Sequence, residues 1–455
     1  MATEQEKLEF VKSKDELGHR IRYNIESVKH IGDAFLINGW LVDPDNQCRS
    51  ILVRKPAGKR VAVAQLNWVR FERKDVAEAF ADLSRPGDLH GFAFVTKEFP
   101  DPDDAIKLNV NFLTKSGKAF GEFIDVKEVN SFEEAVSQGF GVITSPPVTK
   151  EVCEKLFSAI AESAVQLRKK PGVLSINQFG KAVTAPELSI VIPIYGGIDL
   201  MQYQIANLAN YTNSAAEIIF AIDDPNLVNG ALRLGQRLSS LLNLSFKVVA
   251  PDRNLGFSGI NNFAVDYCES RNILFLNSDC FPVQMGWQEK VVKALDAKDY
   301  SIIGARLLFM DETIQHDGIE FERKIDLPGF VLNGHPHKSL PSNIIKPNST
   351  KELSTVVTAA FMAVRKDIFN ELGRFDEGYI RGDFEDSDLC LKAIATGYKI
   401  GIIRDQKIFH LERLSQKGGI DNFLRNKITL TNSARQSTKW ESLLSSKLPL
   451  IESLQ

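Results

Sequence analysis

The 455-residue sequence has few cysteines, no long apolar run and no excess of basic side chains. Its five cysteines are far apart and form no C-x-x-C pair, which indicates reduced thiols and excludes a disulfide framework or a cysteine zinc site. No apolar run approaches the roughly 18 residues of a membrane-spanning helix. A net charge of −3 argues against a nucleic-acid binder held by bulk electrostatics. The polar start lacks the apolar core of a signal peptide, so we expect a cytoplasmic protein.

The first large region, residues 20–128, predicts an antiparallel β-sandwich. It contains short alternating runs, among them RIRYNIESV, DAFLINGWLV and AIKLNVNFLT, and turn residues separate them. Residues 1–19 form a polar tail before this sandwich, and residues 129–186 read as a helical connector after it. No cluster of histidines, cysteines or paired acids in this region suggests catalysis.

A different pattern begins near Leu188, where strand-like and helix-like segments alternate. Residues 187–416 therefore predict a mostly parallel sheet with right-handed crossovers and helices on both faces. Tyr195 follows the first strand, Asp223 the second, and the run Asn277-Ser278-Asp279 the fourth. Because ligands of open α/β sheets bind beyond the carboxyl ends of the strands, these polar groups predict one shared site.

The glycine pattern around this predicted site is poor for a dinucleotide. PIYGGID lacks G-x-G-x-x-G, and NLGFSGINN supplies only a G-x-x-G spacing, which argues against a dehydrogenase. A divalent cation held by carboxylates would neutralise nucleotide phosphates instead. Taken alone, Asn277 to Asp279 also suit an ordinary strand-end turn, and a lone histidine such as His410 is more often structural.

The stretch GDFEDSDLCLKA places Asp383, Glu385, Asp386 and Asp388 within six residues, before a helix-like run. Helix initiation explains one or two acids, since they complement the helix dipole and cap free N–H groups. Four carboxylates repel one another unless a cation lies nearby. Helix capping and a functional cluster are therefore both open readings of this stretch.

The order of these pieces resembles that of the GT-A glycosyltransferases of family 2. The resemblance runs over roughly residues 187–416, with SIVIPIYGG, AIDDP, RNLGFSGINN, LFLNSDCFP, YIRGDFEDSDLCLKA and FHLERLSQ in order. It implies an inverting, metal-dependent transfer of a sugar from a nucleotide-diphosphate sugar to a glycan or glycolipid acceptor. The setting implied is the synthesis of bacterial surface polysaccharide or glycoconjugates. The sandwich resembles the accessory domain of some bacterial enzymes of this type.

The resemblance also implies roles for individual residues. Asp386 matches the general base and Glu385 its neighbour, which we expect to orient the acceptor or a donor hydroxyl. Asp279 matches the last, metal-binding Asp of the D-x-D motif, with Asn277 in place of the first Asp, and His410 matches a further ligand of Mn²⁺ or Mg²⁺. Positions matching the nucleotide site are Pro193, Tyr195, Asp223, Asn254, Gly256, Asn262, Asn277 and Ser278.

Several assignments stay open at this level. An ordinary exposed aspartate is ionised at neutral pH, as a base must be. We expect Asp388 to serve the helix N-terminus and Asp383 to be solvated, while His316 and His335 border the acceptor without an assigned role.

Two alternative functions stay open. A nucleotidyltransferase would need a basic, glycine-rich loop, and IPIYGGIDLMQYQ has no Lys or Arg. A catalytically inactive glycan-binding protein is the second alternative, because Asn277 removes a charge.

The helical segment at residues 417–455 carries basic residues that suit a solvated face. They are also compatible with peripheral association with the inner face of the cytoplasmic membrane.

Overall fold

The structure, a computed structural model, describes residues 9–10, 20–54, 60–64, 67–97, 107–144, 147–168, 170–345, 356–411, 422–446 and 450–453. The chain divides into two compact units. Unit 1 comprises Met1–Lys169 and Asn422–Thr431, and unit 2 comprises Lys170–Asp421 and Asn432–Gln455. The division falls inside the range 129–186 that the sequence assigns to a connector.

The described part of unit 1 contains strands, short helices and one π-helical turn at Cys153–Ser158. Its strands are β1 (Glu9–Phe10), β2 (Arg22–Ile31), β3 (Ala34–Val42), β4 (Cys48–Arg54), β5 (Arg60–Ala64), β6 (Val69–Phe71), β7 (Gly91–Thr96), β8 (Lys107–Thr114) and β9 (Lys118–Val129). Its helices are α1 (Lys74–Ala79), α2 (Phe132–Phe140), α3 (Lys150–Val152) and α4 (Ala159–Val165).

The strands of unit 1 are hydrogen-bonded in the order β5-β4-β8-β9-β2-β3-β7-β6, and β1 also pairs with β9. All pairings are antiparallel except those of β9 with β1 and β2. Strand β9 pairs with β8 over residues 119–125 and with β2 over residues 126–129. Phe112 of β8 packs against Tyr23 and Phe92 at ring distances of 5.1 and 5.6 Å. Unit 1 is thus a mainly antiparallel sheet, and its description as a sandwich stays a prediction.

Unit 2 alternates strands and helices in its first half. Its strands are β10 (Val173–Phe179), β11 (Leu188–Ile194), β12 (Ala216–Ile222), β13 (Phe246–Pro251), β14 (Asn272–Leu276), β15 (Cys280–Pro282), β16 (Ile302–Ala305), β17 (Leu307–Leu308), β18 (Ile314–His316), β19 (Glu320–Lys324), β20 (Leu332–Gly334), β21 (Phe361–Arg365), β22 (Ile400–Ile403), β23 (Ile408–His410) and β24 (Leu450–Ser453). Its helices are α5 (Asp199–Tyr211), α6 (Val228–Leu242), α7 (Gly256–Val265), α8 (Trp287–Asp296), α9 (Lys366–Glu371), α10 (Glu385–Ala395) and α12 (Glu441–Ser446), with a 3₁₀ turn at Pro225–Leu227. Helix α11 (Asn422–Lys439) contributes residues 422–431 to unit 1 and its remainder to unit 2.

The main sheet of unit 2 is mixed, with the order β10-β13-β12-β11-β14-β21-β16-β22. The predicted parallel pairing is found for β13, β12, β11 and β14, and again between β16 and β22. Strands β10 and β21 run antiparallel to their neighbours. Two smaller sheets, β15-β23-β17-β18 and β20-β19-β24, accompany it.

Helices cover both faces of the main sheet because its strands are apolar on both sides. Ile190 and Ile192 of β11 pack into one core with α5, α6 and α8. Val191, between them, packs into a second core with α7, α9 and α10. This near-continuous apolar pattern is typical of strands buried on both faces. Among the described helices, none is both long and apolar enough to cross a membrane.

Candidate active site

The predicted polar residues follow three neighbouring parallel strands of the main sheet. Strands β11, β12 and β14 lie side by side and end at Ile194, Ile222 and Leu276. Tyr195, Asp223 and Asn277 come next in the chain, so all three begin loops at the same edge of the sheet. This is the edge at which open α/β sheets bind their ligands.

Asp279 and His410 lie together at this edge because the short strands β15 and β23 pair with each other. Cys280 of β15 lies opposite His410 of β23, and the amide of Leu411 donates to the Asp279 carbonyl. The side chains approach with 3.3 Å between Asp279 Oδ1 and His410 Nε2, and both are buried. Residues 131 positions apart in the chain are thereby brought within contact distance.

The two imidazole nitrogens of His410 have different partners. His410 Nδ1 lies 3.2 Å from the Gln315 side-chain oxygen, which can only accept, so Nδ1 carries a proton. Nε2 faces the Asp279 carboxylate at 3.3 Å, and this close approach needs either a proton on Nε2 or a cation between the two groups. A ligating histidine commonly has this arrangement, with its other nitrogen hydrogen-bonded to an oxygen.

The donor atoms fit a divalent cation that is only partly held by protein. Asn277 Oδ1 is buried and has no hydrogen-bond partner among the described residues. The described residues contain no group of three or more His, Cys, Asp or Glu side chains suited to a metal. Mg²⁺ and similar cations are often held by one or two carboxylates together with substrate phosphates. Asp279, His410 and the amide oxygen of Asn277 suit such a shared site.

Gln204 of α5 holds the backbone of the Asn277–Asp279 turn. Its side-chain nitrogen lies 3.2, 3.1 and 2.7 Å from the carbonyl oxygens of Asn277, Ser278 and Cys280, and the residue is fully buried. Sequence reasoning missed this residue. The available signal was a glutamine at a buried position of an otherwise apolar helix face, in IDLMQYQIANLANY.

The segment Thr358–Ala360 connects this turn to the acidic stretch. The Asn277 amide donates to the Ala360 carbonyl at 3.0 Å, and the Ala359 amide donates to Asp386 Oδ2 at 3.1 Å. The turn carrying Asp279 and the Asp386 carboxylate are therefore hydrogen-bonded to adjacent residues of one short segment. The geometry brings the predicted metal ligands and the predicted base to the same part of the domain.

Asp386 is half-buried, unlike the exposed aspartate that the sequence suggested. Burial raises the pKa of its carboxyl, and hydrogen bonds from the Ser387 and Ala359 amides and the Thr358 side chain oppose that rise. The Ser387 amide lies 2.7 Å from Oδ1. A carboxylate with a raised pKa that still accepts several hydrogen bonds is suited to receiving a proton near neutral pH.

Glu385 lies deeper than Asp386, at 4% exposure. Burial raises the pKa of its carboxyl well above the ordinary value, and the neighbouring Asp386 charge raises it further. Its Oε2 has no hydrogen-bond partner among the described residues. Because Asp386 receives more hydrogen bonds, we assign the proton of this pair to Glu385 and the negative charge to Asp386.

The Glu385→Gln variant should be more stable than the native protein at neutral pH. Native Glu385 keeps a proton that the unfolded chain releases above a pKa of about 4.3, so native stability falls as pH rises through that value. The loss has a slope of up to about 1.4 kcal/mol per pH unit until the raised folded pKa is reached. Glutamine does not titrate. Denaturant unfolding at several pH values should show a difference that vanishes near pH 4 and widens toward pH 7. A difference that does not depend on pH would contradict the neutral assignment.

The start of α10 gives the acidic residues different environments. Phe384 occupies the N-cap position and its side chain caps no amide, whereas Asp386 accepts from the first-turn amide of Ser387 at 2.7 Å. Asp388, expected to serve the helix N-terminus, is fully buried and accepts from Tyr379 Oη at 3.2 Å and Trp440 Nε1 at 2.7 Å. It also forms ion pairs with Lys392 and Lys439 at 3.2 and 2.7 Å. Asp388 is a buried structural charge.

Removing that charge should destabilise unit 2 substantially. Asp388→Asn keeps the shape of the side chain but leaves two lysines without their carboxylate, and breaking a buried pair typically costs about 3–5 kcal/mol. Asp367→Asn, in the first turn of α9 and mostly exposed, is a matched control expected to cost under about 1 kcal/mol. Denaturant unfolding of both variants measures the two losses. Equal losses would show that Asp388 acts only through the helix dipole.

The loop after β12 is held by Asp223 itself. Its carboxylate accepts from the Leu255 amide at 2.7 Å and from Asn254 Nδ2 at 3.1 Å. Asn254 Oδ1 in turn accepts from Gly256, whose φ of 71° favours glycine, at the start of α7. These contacts join two loops at the carboxyl edge. Asp223 is therefore a structural link, and its nucleotide contact stays a prediction.

The other predicted nucleotide residues differ in their surroundings. Pro193 lies within β11 opposite Ala221, and Tyr195 is 52% exposed just beyond that strand. The Asn262 amide is engaged with the backbone of Phe375 and with Glu377. An exposed aromatic ring at the sheet edge suits stacking on a nucleotide base, whereas Asn262 holds a loop.

Two histidines that the sequence left unassigned lie beside this site. His316 is fully buried, and burial together with nearby His335 lowers its pKa well below the ordinary value. Its Nε2 accepts from the Gly318 and Thr358 amides, so its proton lies on Nδ1, which faces His335 Nδ1 at 3.3 Å. His316 thus supports the segment that holds Asp386.

Part of the chain is similar to known proteins. Residues 189–373 match the family model described as glycosyl transferase family 2. The O-antigen biosynthesis protein RfbC of Myxococcus xanthus is 26% identical over 239 residues, which cover 51% of this chain and 18% of that protein. The uncharacterized protein y4gI of Sinorhizobium fredii is 25% identical over 235 residues, covering 51% and 25% respectively. The chain thus spans a quarter or less of the length of these relatives.

Two solved structures resemble the chain more distantly. GalNAc-T7 with UDP, GalNAc and Mn²⁺ has a TM-score of 0.45 at 15% identity, over 57% of this chain and 49% of that one. Mannosyltransferase PcManGT from Pyrobaculum calidifontis, in complex with GDP-Man and Mn²⁺, has a TM-score of 0.38 at 11% identity, over 70% and 88%. The assignment depends on the family match and on the topology described above. Residues 189–373 of this chain are therefore similar to the glycosyltransferases of family 2.

Proposed function

We propose that this chain is an inverting, metal-dependent glycosyltransferase of GT-A fold, which moves a sugar from a nucleotide-diphosphate sugar to a hydroxyl of a glycan or glycolipid acceptor. One observation carries the proposal. The half-buried carboxylate of Asp386 and the Asp279–His410 pair are both tied, through short hydrogen-bonded links, to the segment Thr358–Ala360. A base and a cation site in one part of the domain are what this reaction needs.

The base acts on the acceptor. As the acceptor oxygen attacks the anomeric carbon, its proton passes to a carboxylate oxygen of Asp386. A bond forms between the acceptor oxygen and the anomeric carbon. The bond from the anomeric carbon to the diphosphate breaks, and its electron pair leaves with the diphosphate. Attack from the face opposite the leaving group inverts the configuration. The neutral carboxyl of Glu385, next in the chain, suits a hydrogen bond to a sugar hydroxyl.

The leaving group needs its own stabilisation. A divalent cation, when bound by Asp279, His410 and Asn277, would absorb the negative charge that develops on the diphosphate. Gln204 keeps the backbone of this turn in place through three hydrogen bonds. Tyr195, exposed at the end of β11, is the side chain that we assign to stacking on the nucleotide base.

One relative suggests a biological setting. RfbC of Myxococcus xanthus is named an O-antigen biosynthesis protein. We propose by analogy that this chain works in the synthesis of bacterial surface polysaccharide or glycoconjugates, in the cytoplasm or at the inner face of the cytoplasmic membrane.

A panel of nucleoside-diphosphate sugars tests the proposal. Each is added to the full chain with Mn²⁺, with Mg²⁺ or with EDTA, and the thermal midpoint is measured. Since only ligands of the folded state raise the midpoint, one donor class should stabilise the protein, by about 2.7 kcal/mol at a hundredfold excess over Kd, and only with metal. The stabilising donor is then offered glycan acceptors, and the anomeric configuration of the product is determined. Failure of every donor to stabilise the chain, or a retained configuration, would overturn the proposal.

A further inference from the structure

The chain enters α10 through a strained turn. Four consecutive residues have positive φ, namely Arg381 at 60°, Gly382 at 96°, Asp383 at 72° and Phe384 at 77°. Only glycine adopts this region without a steric penalty, so three of the four are in an unfavourable conformation. Such a turn persists only where surrounding structure holds it. Glu385 follows it directly, so the turn sets the position of the catalytic pair.

Asn432 of α11 stabilises this turn by hydrogen bonds to its backbone. It is 1% exposed, and its side-chain nitrogen donates to the carbonyls of Ile380, Gly382 and Asp383 at 3.1, 3.1 and 3.2 Å. Its oxygen accepts from the Ile380 amide at 3.0 Å. One amide group thus makes four hydrogen bonds to the backbone entering α10.

The same side of α11 continues along the acidic stretch. Gln436, one turn further, accepts a hydrogen bond from the hydroxyl of Ser387. Lys439 and Trp440 both contact Asp388 Oδ1 at 2.7 Å. Positions 432, 436, 439 and 440 have the spacing of one helix face. We call these four residues the α11 stripe.

We propose that the α11 stripe, and Asn432 above all, positions Asp386 for catalysis by holding the left-handed turn before α10. The inference rests on the proposed function, because it takes Asp386 as the base. Asp386 accepts from the Ala359 and Ser387 amides and from the Thr358 side chain, and none of these residues belongs to the stripe. Asn432 is therefore a positioning residue that acts through the backbone.

Asn432→Ala in the full chain tests the inference, with Ser433→Ala as its matched control. Ser433 is buried next to Asn432 on α11, and its hydroxyl donates to the Val331 carbonyl at 2.9 Å, away from the turn. Amide hydrogen exchange of residues 380–388 should become at least about tenfold faster in Asn432→Ala and should not change in Ser433→Ala. Unchanged exchange in Asn432→Ala would overturn the inference whether or not a donor is known. Gln436→Leu provides a second variant, in which faster exchange is expected around Ser387.

A double-mutant cycle separates positioning from general damage. With the donor class from the panel, Asn432→Ala should lower kcat at least about tenfold while donor KM changes less than about threefold. Added to Asp386→Asn, the same change should have no further effect, because the base through which it acts is gone. If the two substitutions instead lowered kcat by independent factors that multiply, Asn432 would act through a group other than Asp386. Full turnover in Asp386→Asn alone would instead refute the base assignment of the proposed function. The amide exchange measurement would still test whether Asn432 holds the turn, because it does not depend on catalysis.

Discussion

The Asp386→Asn variant is expected to transfer sugar at least about 100-fold more slowly than the native protein while binding the donor normally. Removing a general base typically costs 10²–10⁴-fold in rate, or roughly 3–5 kcal/mol at the barrier. Asparagine keeps the size of the side chain and an oxygen that can accept from the Ala359 and Ser387 amides. The fold and the metal site should therefore be intact, and the loss should be confined to kcat.

Steady-state kinetics and the thermal midpoint, measured together, decide this prediction. The midpoint should lie near the native value, because the carboxylate already occupies a partly buried position that an amide suits. Asp367→Asn, in the first turn of α9 and mostly exposed, is the control and should keep turnover within a few-fold. Near-native turnover in Asp386→Asn would remove the base assignment, and Glu385 would become the next candidate.

Asp279→Ala is expected to abolish the stimulation of donor binding by metal. In the proposed function Asp279 supplies the ionised oxygen of the shared cation site, so without it the diphosphate would keep its charge unpaired. We expect donor affinity in Mn²⁺ to fall by at least about tenfold, or roughly 1.4 kcal/mol, to the value measured in EDTA. His410→Ala should show a smaller loss, since a neutral imidazole compensates less charge.

Titration calorimetry with and without Mn²⁺ measures both losses. Asp405→Ala is a suitable control, because Asp405 is exposed, pairs with Lys290 and lies between β22 and β23. It should bind donor as the native protein does. If the native protein itself bound donor equally well in EDTA, the assignment of Asp279 and His410 to a metal would be wrong.

Local sequence patterns predicted the elements of unit 2 and the edge of the sheet that carries the site. The alternation of strands and helices is a local signal, and Tyr195, Asp223 and Asn277 lie where the strands end. The antiparallel position of β21 between β14 and β16 was not predicted, because strand order depends on pairings between distant residues, such as Leu276 and Phe361, which are 85 positions apart.

The supporting residues were harder to predict for the same reason. Gln204 contacts carbonyls more than 70 residues away, and Asn432 contacts a turn about 50 residues before it. Gln204 is signalled only by its place on an otherwise apolar helix face, and nothing in the residues next to Asn432 distinguishes it from a solvated polar side chain. Asp388 lies in the first turn of α10 as expected, but its buried contacts were not predicted, because its partners Lys439 and Trp440 lie in the C-terminal segment.

The left-handed turn held by α11 bears on where a minimal active fragment can end. The matched family region stops at residue 373, before the turn, before Asp386 and before His410. A fragment cut at the limit of sequence similarity would keep the predicted nucleotide residues and lose Asp386, the proposed base, and His410, a proposed metal ligand. A fragment that ended before Asn432 would keep Asp386 and lose its support. Boundaries drawn by similarity are thus unsafe guides for cloning or grafting this enzyme, and fusions should leave α11 and Trp440 intact.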